Sequence, residues 1–98
     1  MLLDNAFASK GSTASWKYVP FNECKQAGIA CKYDDEASKL HHKIIIVDHK
    51  IVLTGSFNLS VSAANDNDEN LLIVESAAVA KKYTTEFERL WKLYHCLL

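Results

Sequence analysis

The chain has 98 residues, 49% of them apolar, which suits one domain that buries about 60–65% of its unfolded surface. Lys plus Arg (11) and Asp plus Glu (12) nearly cancel, so composition excludes the overall basic footprint of a dedicated nucleic-acid binder, and any polyanion contact must come from a local patch. Cys24, Cys31 and Cys96 are odd in number and lack metal-site spacing, which points to free, packed thiols in a reducing compartment and makes the expected location cytoplasmic.

No apolar run reaches the length of a membrane span, and Met1-Leu2-Leu3 is too short for a signal peptide, so no integral membrane segment is expected. Met1 to Asp4 reads as the tail of a strand, and Asn5 to Ser15, with Gly11 and several small polar residues, as a loop. Pro20 suits the first turn of a helix over about 20–27, and Gly28 stands where such a helix ends. Trp16, Tyr18 and Phe21 ahead of it could stack bases, but aromatics in that position more often fill a core. Ile29 to Tyr33 reads as the next strand and Asp34-Asp35-Glu36 as a solvated acidic loop.

Next comes the stretch that carries the chemistry. His41-His42-Lys43 leads into the β-branched run Ile44-Ile45-Ile46-Val47, which reads as a buried strand over 41–47, with His41 and Lys43 on one face and His42 on the other. A turn at Asp48-His49-Lys50 and a short strand over 51–54 complete a hairpin, followed by Gly55-Ser56-Phe57-Asn58. An imidazole beside an ammonium is what attack on a phosphodiester needs: a nucleophile, and a cation that offsets charge building on the equatorial oxygens. Gly55 permits a tight backbone turn, and Ser56 and Asn58 add neutral donors. Lys39, Lys43 and Lys50, with His41, His42 and His49, form a candidate anion-facing patch, although lysines flanking a strand are commonly just solvated.

Ser60 to Asp68 reads as a polar connection that opens with a helical turn around 61–64. Glu69 to Glu75 reads as a strand whose continuous Leu71-Leu72-Ile73-Val74 run implies cover on both faces. Ser76 is a candidate N-cap for a last helix from Ala77 to about Tyr94, with Val79, Tyr83, Phe87, Leu90 and Tyr94 forming one apolar stripe.

The spacing His-x-Lys, Asp, then Gly-Ser-x-Asn resembles the HKD motif of the phospholipase D superfamily, phosphodiesterases that work through a phosphohistidine. The resemblance extends from about residue 29 to residue 94, with 41–58 and Glu69 its diagnostic parts. It implies an α/β fold of phospholipase D-like type, with a mixed, mostly parallel sheet flanked by helices. It also implies that the domain begins earlier, so the 1–98 chain, one domain with a single motif over 41–58, is expected to be truncated at its N-terminus. By the same resemblance His41 is the nucleophile in one copy of the motif and general acid/base in the other. Lys43 and Asn58 hold phosphate oxygens, Ser56 is a supporting hydroxyl, and Glu69 accepts from the imidazole and orients it. Asp48 belongs to the motif but has the opposite strand parity to His41, so it is expected to organise the turn.

A single motif implies a homodimer in which two His41 side chains face one phosphate. The expected activity is a metal-independent endonuclease on DNA or RNA, with phospholipase D or phosphatidyltransferase chemistry on phospholipids as the alternative and a non-catalytic binding module as the third. No cofactor and no metal are expected. Asp66-Asn67-Asp68 opens like a calcium loop but has Leu71 where a turn glycine is required, and His41 and His42 face opposite ways for a shared zinc.

Overall fold

The computed structural model describes residues 1–3, 21–33, 40–58 and 61–96. The sequence-based expectations for the 5–15 loop, Trp16, Tyr18, the acidic 34–36 loop and Lys39 lie outside the described residues. The chain divides into two compact units, one made of residues 1–41 with 90–98 and the other of residues 42–89.

In the first unit, α1 (Phe21–Gln26) is a short helix. It ends where Gly28, at φ +71°, donates its N–H to Lys25 O at 3.1 Å while Ile29 N reaches Cys24 O at 2.9 Å. This pair of closing bonds satisfies the last helical carbonyls and requires a left-handed residue between them, which glycine supplies without cost from a Cβ. β2 (Lys32–Tyr33) then pairs in parallel with β1 (Leu2–Leu3) and antiparallel with β6 (His95–Cys96). Among its described residues Cys24, Cys31 and Leu90 are the buried apolar ones, and both of these cysteines are free thiols. The ammonium of Lys32 lies 4.6 Å from the centroid of the Trp91 ring and donates to the Trp91 carbonyl, so its charge is met from two sides.

The second unit is built on an antiparallel three-stranded sheet in the order β3-β4-β5, where β3 is Ile44–Val47, β4 Ile51–Gly55 and β5 Leu71–Glu75. β3 and β4 form a hairpin joined by the three residues Asp48, His49 and Lys50: Lys50 N donates to Val47 O at 3.0 Å, and Asp48 and His49, the central residues of that turn, sit at φ 51° and 54°. Positive φ at both central residues matches the right-handed twist of the strands, and Asp tolerates it better than most residues. Helix α2 (Val61–Asn65) follows β4, and α3 (Ala77–Leu93) follows β5. Ser76 caps α3: its hydroxyl accepts from Val79 N at 3.3 Å, and its own N–H reaches Lys50 O at 2.8 Å. Val52, Ala63 and Ala80 are the buried apolar residues of this unit.

Four expectations are corrected. The motif strand begins at Ile44, so residues 41–43 belong to the approach to it and the argument from strand parity does not apply to His41 or Lys43. That strand is half covered, since Ile45 and Val47 are 41% and 38% exposed and share a face opposite Val52. β5 is only partly covered: Leu71, Leu72 and Ile73 are 54%, 56% and 64% exposed, and Val74, paired with the fully buried Val52, is the half-buried member of the run. The α3 stripe departs from expectation at Phe87, which is exposed while Val79, Tyr83, Leu90 and Tyr94 are half-buried or buried, and the small Ala80 beside the stripe is fully buried. Sheet pairing among the described residues is mixed, with β1–β2 parallel and the other ladders antiparallel, so the predominance of parallel pairing is not seen there.

Candidate active site

Antiparallel order decides which functional residues meet. Ile44 opposes Thr54, and Gly55 opposes Leu71, so the start of β3, the end of β4 and the start of β5 lie at one end of the sheet. Lys43 enters β3 there, Ser56 leaves β4 there, and Glu69 and Asn70 lead into β5 there. Asn58 lies two residues beyond Ser56 and is exposed. His41, exposed, is the last residue of the first unit and precedes Lys43 in the same approach to β3. Asp48 sits at the opposite end, in the hairpin turn, where its left-handed backbone is what the turn needs. Its expected role as organiser of the turn is the role its position supports.

The junction of β4 and β5 is tied by four hydrogen bonds around Ser56. Its backbone N–H reaches both Asn70 O (3.1 Å) and Asn70 Oδ1 (3.0 Å), and its hydroxyl accepts from Asn70 N at 3.1 Å. That hydroxyl donates its single proton to Glu69 Oε2. The other oxygen, Glu69 Oε1, accepts from Asn67 Nδ2 at 3.3 Å. Each carboxylate oxygen has a second lone pair, so Glu69 retains the capacity to accept from an imidazole while held by both partners. Gly55 makes the close approach possible: at φ +154° its Cα faces the Asn70 carbonyl, and a Cβ there would lie 2.2 Å from that oxygen.

Two of these residues had no assigned role in the sequence reading. Asn70 stood beside Glu69 without a function, and Asn67 appeared only in a rejected calcium loop. The role of Asn70 shows only in the pairing across β4 and β5, and that of Asn67 only in where its amide meets Glu69, two residues on. On the outer face of α3, Glu86 is held by Arg89 through two contacts of 2.8 Å. The Arg89 hydrogen bond, with smaller help from the charges of Arg89 and His42, lowers its carboxyl below the ordinary value. His49 Nδ1 lies 3.4 Å from Thr84 Oγ1, which brings the hairpin turn beside the same helix. Among the described residues no cluster of three or more His, Cys, Asp or Glu is placed to hold a metal ion, and no helix is long and apolar enough to cross a membrane.

The comparisons with known proteins agree with one another on family. Residues 1–91 match the family described as cardiolipin synthase, PLD-like domain. The chain is 44% identical over 70 residues to a mitochondrial cardiolipin hydrolase of Xenopus laevis, covering 71% of this chain and 33% of that protein. It is 37% identical over 71 residues to the human protein of the same name (72% and 28% covered), and 39% identical over 72 residues to a phospholipase D of Rickettsia prowazekii (74% and 35% covered). It thus spans about a third of the length of these curated relatives. Among solved structures, the phospholipase D family member Nuc from Salmonella typhimurium superposes with a TM-score of 0.83 at 26% identity, over 98% of this chain and 61% of that one. On the match over nearly its whole length, the chain belongs to the phospholipase D-like domain family.

Proposed function

We propose that the chain carries the catalytic half-site of a metal-independent phosphodiesterase, with His41 as nucleophile in one copy and general acid/base in a second copy of a homodimer. The observation that carries this reading is the gathering of Lys43, Ser56 and Glu69 at one end of the β3-β4-β5 sheet, with Lys43 two residues after His41 in the chain. In the first step His41 attacks phosphorus, a P–N bond forms and the P–O bond to the leaving group breaks. The partner's imidazole gives that oxygen its proton. Water then attacks the phosphohistidine, loses its proton to the same imidazole, and releases His41. Lys43 and Asn58 would steady the phosphate oxygens as charge builds on them.

The leading substrate is the phosphodiester of DNA or RNA, since a small chain with a single motif resembles the dimeric nucleases of the superfamily. A phospholipid is the second reading, favoured by the names of the relatives, cardiolipin hydrolase and phospholipase D. Buried free thiols at Cys24 and Cys31 fit a reducing compartment.

The test is cleavage, in excess EDTA, of single- and double-stranded oligonucleotides and of cardiolipin vesicles, by the chain and by His41→Asn. Chelator-resistant cleavage of oligonucleotides, lost in the variant, is the expected outcome. Cleavage of the vesicles alone would replace the nuclease reading with the lipid one. Activity that survives His41→Asn would overturn both.

A further inference from the structure

From the hydrogen bonds around Glu69 we infer that Asn67 is a positioning residue of the active site: with Ser56 it restrains the Glu69 carboxylate while leaving lone pairs on it open to accept from an imidazole. The inference rests on the phosphodiesterase reading and deepens it.

The argument begins with the protons available. A serine hydroxyl has one, and that of Ser56 goes to Glu69 Oε2, while its oxygen already accepts from Asn70 N at 3.1 Å. Ser56 is therefore engaged within the junction and holds the carboxylate, and a phosphate oxygen would have to compete with Glu69 for it. One hydrogen bond to one oxygen leaves a carboxylate free to rotate about its Cγ–Cδ bond. The second, from Asn67 Nδ2 to Oε1 at 3.3 Å, engages the other oxygen and restricts that freedom. The two donors lie on different segments, Ser56 after β4 and Asn67 in the approach to β5, so the carboxylate is restrained relative to the sheet end. The Asn67 amide donates to the carboxylate and not to the phosphate, which makes its action indirect.

Amide and acid differ here in a useful way. Aspartate has the shape of asparagine but no donor, and it would place a second negative charge against Glu69 Oε1. A residue that merely fills space in the loop would tolerate that replacement better than truncation to alanine. A residue that holds Glu69 would tolerate it worse.

The experiment measures initial rates of bis(4-nitrophenyl) phosphate hydrolysis in excess EDTA for the full chain, Asn67→Ala, Asn67→Asp, Glu69→Ala and the Asn67→Ala/Glu69→Ala pair, each checked for an unchanged urea midpoint. Asn67→Ala should lower kcat about tenfold with KM little changed, as expected for a misaimed group, and Asn67→Asp should lower it further. In the Glu69→Ala background the Asn67→Ala loss should shrink to less than about twofold, because the residue acts through that carboxylate. A wild-type rate for Asn67→Ala, an Asn67→Asp rate above that of Asn67→Ala, or a loss that persists undiminished without Glu69 would each overturn the assignment. An inactive parent chain would instead sink the phosphodiesterase reading itself, and the positioning role with it.

Discussion

Gly55 and Asn70 approach so closely that the space for a β-carbon on residue 55 is occupied by the Asn70 carbonyl group, whose oxygen and carbon would lie 2.2 Å and 3.0 Å from it. Both contacts are backbone, so no side chain can swing aside to relieve them. The positive φ of Gly55 adds a conformation that other residues resist.

Gly55→Ala is therefore expected to destabilise the protein by about 2–4 kcal/mol, strain and overpacking acting together. Urea denaturation checks it. Because Ser56 follows directly, the variant should also lose most of its turnover at temperatures where it remains folded.

Asp48 separates two roles by substitution. Asn accepts the left-handed backbone of the hairpin, whereas a β-branched residue does not, so Asp48→Asn should keep its stability and Asp48→Val should lose about 1–2 kcal/mol. With Asp48 at the far end of the sheet from Ser56, Asp48→Asn should also retain most of the activity. A collapse of the rate in a stably folded Asp48→Asn would show that its charge, and not its turn, matters.

Burial, the largest cause, together with the neighbouring Cys24 pushes the Cys31 thiol above its usual value against a smaller opposing pull from the terminal amino group. A raised folded-state pKa means that the native chain holds this proton more tightly than the unfolded chain does. The stabilising contribution is complete below the unfolded thiol pKa of about 8.5 and is lost as pH rises through the folded value. Urea midpoints should fall between about pH 8 and pH 10, and less steeply in Cys31→Ala.

Glu86 runs the other way. Its carboxyl is lowered first by the Arg89 hydrogen bond, so its contribution is present above the ordinary carboxylate value and is lost as pH falls through the folded one. In Arg89→Gln the Glu86 titration, followed by carbon-13 NMR of the carboxyl, should move back up toward the ordinary value.

Local chemistry was legible wherever one segment carried it. The β-branched 44–47 run, the helix stop at Gly28, the cap at Ser76 and the turn at Asp48-His49 each follow from backbone preferences that a few neighbouring residues settle. What stayed hidden depends on pairing between distant segments. An apolar run such as Leu71-Leu72-Ile73 has the same letters at the centre of a sheet and at its edge, and only the strand order distinguishes them. The link of Ser56 to Glu69 was invisible for the same reason: it arises where β4 and β5 come into register. The family was readable from the motif, but the division of labour among the motif's hydroxyl, amide and carboxylate was not.

That β5 is the outer strand of the sheet among the described residues has a consequence for handling rather than for catalysis. Leu71, Leu72 and Ile73 offer three adjacent apolar side chains on a strand whose outer side lies at the sheet margin, with Glu75 as the charge near its end. Such a margin is a template for strand addition, and one carboxylate is a sparse guard against it. The shelf life of a concentrated solution is then set by colloidal behaviour before conformational stability, and it should shorten steeply with protein concentration and with approach to neutral net charge.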